Sequence, residues 1–453
     1  MLINKIEIKK EKKLYTSLDL YKLVESSIYL YENEDEYYYK PKDSKEWYYE
    51  WDFKEYNPNI YSHGFHQYPA KFIPQLVRKL LRVFTNENSI ILDNFMGSGT
   101  TLIESMLLNR KKAIGIELNP FACFIAKVKT TPINPNNLTK YYLCLKKEFF
   151  NLKNFNLYKF YNIEFWYKEH QIRDLSKLRE IIMNIDDENI KNFFLICFSE
   201  VVRRVSLTNH NGFKLHRDKN KLRDDFNPNV FWHFDNISQR NIALMKDFYY
   251  KTMNSKTEIQ IIHSDSRIKQ DIENNSVDLI ITSPPYGDSR TTVAYGQFSR
   301  LSWQWIKNDN SVFKIDENLL GGRIKKNYEN NILDYSNTLK IQYNSIKDKD
   351  SKRADEVLSF YLDLYDALKN AYNYLKEDKY FVLVTGNRTV KNVFLRTDLI
   401  ISELAGKIGF RTEKILYRNI INKRMPKRNS PTNRKGETST TMLKENIIFL
   451  RKS

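Results

Sequence analysis

Cysteine is scarce. Cys123, Cys144 and Cys197 are the three in a chain of 453 residues, and no two of them form a Cys-x-x-Cys pair. Such spacing supports neither a thiolate zinc site nor a disulfide framework, and no metal is expected. Cys123 and Cys197 lie in apolar helical runs, which places them in the core. No stretch approaches the roughly 18 uninterrupted apolar residues of a membrane-spanning helix. The N-terminus, Met1-Leu-Ile-Asn-Lys-Ile-Glu-Ile-Lys-Lys10, carries charges where a signal peptide needs an apolar core. These absences predict a soluble, cytoplasmic protein with no membrane partner. Acid is short relative to base: 73 Lys+Arg stand against 55 Asp+Glu, giving a net charge of +18. That balance favours a polyanionic partner. No internal repeat is visible. With 41% hydrophobic and 14% aromatic residues the chain can build a sizeable core, and its length suits one large α/β domain with an insertion.

What is present begins with a strand and a turn. The apolar run Val277-Asp-Leu-Ile-Ile-Thr282 leads straight into Ser283-Pro-Pro-Tyr286. That puts the tetrapeptide at the C-terminal lip of a buried strand, where open α/β sheets do their chemistry. Pro284 and Pro285 remove two N–H donors and stiffen the turn. The Ser283 hydroxyl, the Pro284 carbonyl and the Tyr286 ring then share one small space. Hydrogen-bond acceptors beside a flat ring suit a planar base carrying an exocyclic NH2 group.

A second segment reads Ser89-Ile-Ile-Leu-Asp-Asn-Phe-Met-Gly-Ser-Gly-Thr-Thr101. A strand ends at Asp93, Gly97 and Gly99 make a tight turn, and a helix begins near Thr100. Glycines there let the backbone approach a ligand closely. The next strand, Lys112-Ala-Ile-Gly-Ile-Glu117, ends in an acid about 20 residues beyond the glycines, as ribose recognition requires. Leu102 stands where a dinucleotide fingerprint wants its third glycine, and no lysine follows the turn as a phosphate loop demands. The turn fits a nucleoside without phosphates.

With these residues in view, the chain resembles the amino-methyltransferases that modify DNA in bacterial restriction-modification systems. Asp93-Asn-Phe-Met-Gly-Ser-Gly-Thr-Thr101 is similar to their motif I, with Asn where Pro is usual; Gly115-Ile-Glu-Leu-Asn-Pro120 is similar to motif II and Thr282-Ser-Pro-Pro-Tyr286 to motif IV. His66-Gln-Tyr-Pro-Ala-Lys-Phe-Ile-Pro74 resembles motif X, Ile262-His-Ser-Asp265 the end of the motif III strand, and Phe381-Val-Leu-Val-Thr-Gly-Asn387 the motif VI strand. The matches run in consistent order over residues 62–390. The resemblance implies S-adenosylmethionine as cofactor. It implies cofactor contacts at Tyr68, Lys71, Asp93, Phe95, Gly97, Gly99, Thr100, Glu117, Leu118, Asn119 and Asp265, the last holding the adenine amino group. It implies Ser283, Pro284, Pro285 and Tyr286 as the catalytic turn, double-stranded DNA as substrate and a cognate restriction endonuclease as companion. His66 reads as structural.

The expected fold is a doubly wound, mostly parallel α/β sheet of seven strands, the methyltransferase variant, with an antiparallel hairpin at one edge and a largely helical insertion. Residues 1–60 form an N-terminal extension, 61–130 the cofactor half, 131–255 the helical insertion and 256–453 the catalytic half. Within the last, 287–352 is a loop-rich candidate for target recognition, and two late strands around 412–451 make the hairpin, with a basic loop at 422–428 between them.

The chemistry follows from the turn. An exocyclic amine is a poor nucleophile because its lone pair is delocalised into the ring. Acceptors on both N–H bonds draw the nitrogen toward tetrahedral geometry as charge develops, which favours the transition state over the ground state. Methylation at cytosine carbon 5 would need an activated cysteine after a proline, and none of the three cysteines has that context. The base must leave the duplex to be reached. Ser rather than Asp at the first position of the turn is associated in this family with cytosine N4 rather than adenine N6, which makes N4 the expected target. The alternatives are adenine N6, or a DNA-binding protein that keeps an inactive fold. DNA contacts are expected from the basic stretch 203–223, with Arg203, Arg204 and Lys214 on phosphates, and from the segment after the turn. There Arg290, Arg300 and Arg323, with Tyr295, Trp303 and Trp305, mix aromatics with basic groups.

Overall fold

A computed structural model describes residues 51–453 apart from 55, 210, 211, 213, 289–291, 326–330, 421–427, 430–438 and 441–443. Arg290, most of the N-terminal extension and the basic loop therefore lie outside the described residues.

Seven strands form the central sheet: β1 Ile90–Asp93, β2 Lys112–Glu117, β3 Glu258–His263, β4 Val277–Thr282, β5 Leu375–Thr385, β6 Phe410–Asn419 and β7 Lys444–Lys452. Their order is β3-β2-β1-β4-β5-β7-β6. Pairing is parallel from β3 through β5 and antiparallel at β5/β7 and β7/β6. The central strands are apolar on both faces because helices cover both. Ile91, Leu279 and Ile281 enter one core while Leu92 and Ile280 enter the other, all with no exposed surface. Asp278 interrupts this run near the strand's start. Its carboxylate accepts from the Ile90 N–H at 2.8 Å and from Lys376 Nζ at 2.8 Å, so the charge is satisfied. The chain order reverses between β1 and β4, and a crevice opens there at the strands' C-terminal ends.

Helices α1 Pro74–Phe84, α2 Thr100–Leu107 and α3 Pro120–Lys129 fall within residues 61–130. The insertion supplies α4 Pro135–Asn151, α5 Glu169–Met183, α6 Glu188–Val205 and α7 Val230–Thr252. Helix α6 is its hub. Asp187 caps it by accepting from Asn189 N and Ile190 N, and Phe193, Phe194, Phe198, Val201 and Val202 are sealed inside a third core.

The segment 287–352 is not loop-rich. It folds into α8 Tyr295–Lys307 and α9 Asn337–Lys347 with shorter turns between. Phe298, Leu301 and Trp305 recur at helical spacing and point at the insertion: Trp305 is fully buried against Phe198 and Tyr167. Trp303 is 8% exposed and packs on Phe121 and Phe124. These tryptophans build core and are not available to bases.

The chain continues with α10 Ser351–Tyr374 and α11 Thr397–Ile408. Strands β6 and β7 form the antiparallel edge. Asp52 clamps it, accepting from Asn419 N at 2.7 Å and Asn419 Nδ2 at 2.8 Å, while Trp51 inserts beside Phe449. Among the described residues no helix is long and apolar enough to cross a membrane, and no cluster of His, Cys, Asp or Glu side chains suits a metal ion. Cys197 is buried in α6 and Cys144 is exposed. Cys123 is half-buried rather than sealed in the core, its thiol donating to the Glu117 carbonyl at 3.4 Å.

Candidate active site

The glycine turn is shaped by two different needs. Gly97 has φ +53° and Gly99 has φ +86°, both left-handed conformations that side chains resist. Gly99 is also crowded, since a Cβ there would come within 2.9 Å of the Ala126 Cβ on α3. In the neighbouring strand a Cβ on Gly115 would come within 2.2 Å of Met96 Sδ, so glycine in β2 makes room for the turn. Helix α2 then starts at Thr100 with no side-chain cap on its first N–H groups, and Ser98 and Thr100 line the crevice.

Asp93 does not line the crevice. It is 1% exposed and accepts from Thr101 Oγ1 at 2.6 Å, Thr282 Oγ1 at 2.7 Å and Phe95 N at 3.2 Å. Burial pushes its carboxyl up to about 6. It rivets the glycine turn to the last residue of β4, one position before Ser283. In this arrangement Asp93 braces the two motifs against each other.

Glu117 does face the crevice, at the end of β2. One oxygen accepts from Gly97 N at 2.9 Å and the other from Asn119 N at 2.8 Å. Burial pushes its carboxyl up to about 7 against the pull of those N–H groups. Leu118 and Phe95 lie on the same wall. Asn119 is fully buried: its Oδ1 caps α3 through Phe121 N, and its Nδ2 donates to Tyr68 Oη at 3.1 Å and Ser299 Oγ at 2.8 Å. It thus sets Tyr68, whose ring stacks on Tyr295 with centroids 5.8 Å apart. Both tyrosines line the crevice. Tyr295, expected from the sequence to serve DNA or the flipped base, stands on this wall; only its placement on α8 reveals the pairing. Lys71 reaches the crevice with its stem, but its Nζ donates to Asn59 Oδ1 and the His63 carbonyl, both at 3.1 Å. Burial lowers that amine to about 8.

Across the crevice Asp265 follows β3. Its carboxylate accepts from Arg267 N at 2.9 Å and from the Arg267 guanidinium at 2.5 Å, and Arg267 also pairs with Asp363 at 2.9 Å. The crevice encloses about 770 Å³ of empty space, part of it open to solvent, and Ser283 and Pro285 stand at its edge. The Ser-Pro-Pro-Tyr turn is held from behind. Buried Asp288 accepts from Arg353 Nη2 at 2.8 Å and Arg388 Nη1 at 3.2 Å. Pro284 is buried and Tyr286 half-buried. The Ser283 hydroxyl lies 3.5 Å from Tyr286 Oη, which in turn donates to Glu445 Oε1 at 3.0 Å.

The basic candidates divide. Arg203 is 8% exposed; it donates to the Phe298 carbonyl at 2.6 Å and lies 3.9 Å above the Phe298 ring. It joins α6 to α8 and is buried between them. Arg204 pairs with Glu200 at 2.9 Å, and Arg300 is half-buried over Phe313 at 4.4 Å. Lys214 and Arg323 are exposed, Arg323 lying 3.6 Å from Glu317.

The family profile described as DNA methylase matches residues 2–128. Type II methyltransferase M.MvaI of Kocuria varians is 39% identical over 422 residues, which is 88% of this chain and 93% of that protein. Type II methyltransferase M.MjaII of Methanocaldococcus jannaschii is 31% identical over 241 residues, 48% of this chain and 45% of that protein. A crevice at the sheet's switch point, walled by a glycine turn, an acid and a Ser-Pro-Pro-Tyr lip, and a relative that matches nearly end to end, agree: the chain belongs to the N6/N4 amino-methyltransferases of restriction-modification systems, which methylate DNA from S-adenosylmethionine.

Proposed function

We propose that the chain methylates the exocyclic N4 of cytosine in duplex DNA. The observation that carries this is the placement of Ser283: a hydroxyl, not a carboxylate, stands at the edge of the crevice walled by Glu117 and the glycine turn. A hydroxyl and a neighbouring carbonyl accept the two N–H bonds of an amine without putting a full negative charge beside it. Adenine N6 is the second reading, because adenine also offers an amine beside a ring nitrogen.

The crevice suits the cofactor. At Gly97 a Cβ would meet only Tyr68 Cε1, at 3.7 Å, so the turn presents bare backbone to the cavity. Glu117 offers a carboxylate to ribose hydroxyls, Asp265 an acceptor to the adenine amine, and the start of α2 offers N–H donors to a carboxylate. Gly97, Phe95, Leu118 and Thr100 give the remaining wall. S-adenosylmethionine, when bound, supplies an electrophilic methyl group. The chain's own groups do the rest: Ser283 and the Pro284 carbonyl hold the amine, Tyr286 stacks on the flipped base, and fixed geometry lowers the entropic cost of the encounter. We assign residues 61–130 to cofactor binding, 131–255 to an insertion that shares DNA contacts and 256–453 to catalysis. A restriction endonuclease of the same sequence specificity is the companion this arrangement implies.

Mass spectrometry of nucleosides from DNA treated with enzyme and cofactor tests the assignment. N4-methylcytosine is the expected product. N6-methyladenine without it assigns the turn to adenine. Ser283→Ala should lower transfer about a hundredfold while cofactor binding changes little.

A further inference from the structure

The catalytic turn touches one residue that no motif contains. Strand β7 runs antiparallel to β5, which runs parallel to β4, so β7 begins at the lip where β4 ends: Asn446 pairs with Thr385, and Leu383 pairs with Thr282. Glu445, at that beginning, sits opposite Arg418 of β6. Its Oε1 accepts from Tyr286 Oη at 3.0 Å, and its Oε2 faces Arg418 Nε at 3.6 Å. Arg418 is nearly sealed, with 1% of its side chain exposed. Burial, and then the Glu445 charge, hold the Tyr286 hydroxyl well above the usual phenol range, so it remains a donor.

We propose that Glu445 is a positioning residue that fixes the direction of a hydrogen-bond chain running Ser283 to Tyr286 to Glu445. A carboxylate can only accept. Tyr286 must therefore spend its proton on Glu445, which leaves its oxygen to accept from the Ser283 hydroxyl, 3.5 Å away. The Ser283 proton then points away from the crevice, and its lone pairs are left for the target amine. The same bond sets the Tyr286 ring before the base arrives. As positive charge grows on the amine, the chain ends on a negative group. Glu445 thus acts through Ser283 and Tyr286 and does not itself reach the base. The inference rests on the reading of Ser283 and Tyr286 as the base pocket.

The test is a double-variant cycle in the full-length protein. Single-turnover methyl transfer to duplex DNA is measured for wild type, Ser283→Ala, Glu445→Ala, Glu445→Gln, Tyr286→Phe and the combined Tyr286→Phe/Glu445→Ala, with Kd for S-adenosylmethionine measured alongside. Glu445→Ala and Tyr286→Phe should each slow transfer about tenfold, the size of one hydrogen bond to a charged group. Adding Glu445→Ala to Tyr286→Phe should cost less than about twofold more, because the chain is already broken. Glu445→Gln keeps an acceptor but can also donate and carries no charge, so it should regain only part of the rate, and cofactor Kd should hold within about twofold throughout. If the two losses multiply to about a hundredfold, or Glu445→Gln is as fast as wild type, Glu445 has no such role. A wild-type rate in Glu445→Ala, with Tyr286→Phe slow, also overturns it. A wild-type rate in Ser283→Ala would instead remove the base-pocket reading on which the inference stands.

Discussion

Glu117 is pulled in two directions. Burial raises its carboxyl to about 7, while the N–H groups of Gly97 and Asn119 pull it down. Ribose hydroxyls donate to the charged form, so binding the cofactor below that pH must expel a proton. Affinity should therefore rise by up to about tenfold per pH unit below about 7 and level off above it. Calorimetric titration with S-adenosylhomocysteine between pH 6 and 8.5 reads this directly. Glu117→Gln should bind more weakly at pH 8 and lose the dependence; a wild-type profile in that variant would move ribose recognition to another group. The local motifs were legible at this scale because spacing along a strand and turn fixes them. Their partners were not. Asp93 reads as a ligand contact, yet its closest tie to catalysis is Thr282, 189 residues away. Tyr286 depends on Glu445, 159 residues on, where nothing in the local sequence marks an acid as special.

Helix α8 shows how an element is misread. Trp303 and Trp305 close to Arg300 look like a nucleic-acid face. The 3.6-residue period of Phe298, Leu301 and Trp305 was the better signal, and it marks a core stripe. Trp305→Ala should cost about 3–5 kcal/mol of stability, read as a lower denaturant midpoint, with cofactor affinity retained in the folded fraction. If that variant kept full stability but lost DNA binding, the helix would belong to the interface after all. Arg203 is harder to place from sequence for a related reason. A basic residue at the end of α6 looks solvated, but its planar head stacks on Phe298, a residue of the next core helix. The sheet, by contrast, was legible in full. Its central strands are apolar on both faces, which permits one class of architecture, and the two late strand-like runs fall on β6 and β7 at the antiparallel side of the sheet.

At the scale of the whole molecule the excess of base favours DNA without saying where it lies. The exposed cations Lys214 and Arg323 now carry the expectation that Arg203 cannot. Reversing either charge should weaken binding to every duplex about equally and lower the salt slope by about one unit. If either reversal changed which sequence is methylated, that residue would read bases and not phosphates. Recognition sequence is the property least visible in the chain, because base contacts need only a few side chains on surfaces that no motif fixes. The most direct test of the central claim is single-molecule sequencing of a plasmid carried by cells that express the protein, beside one expressing Ser283→Ala. N4-methylcytosine at one position of one short sequence, present with wild type and lost with the variant, is the predicted result. N6-methyladenine at a defined sequence, or an unmodified plasmid with wild type, would contradict it.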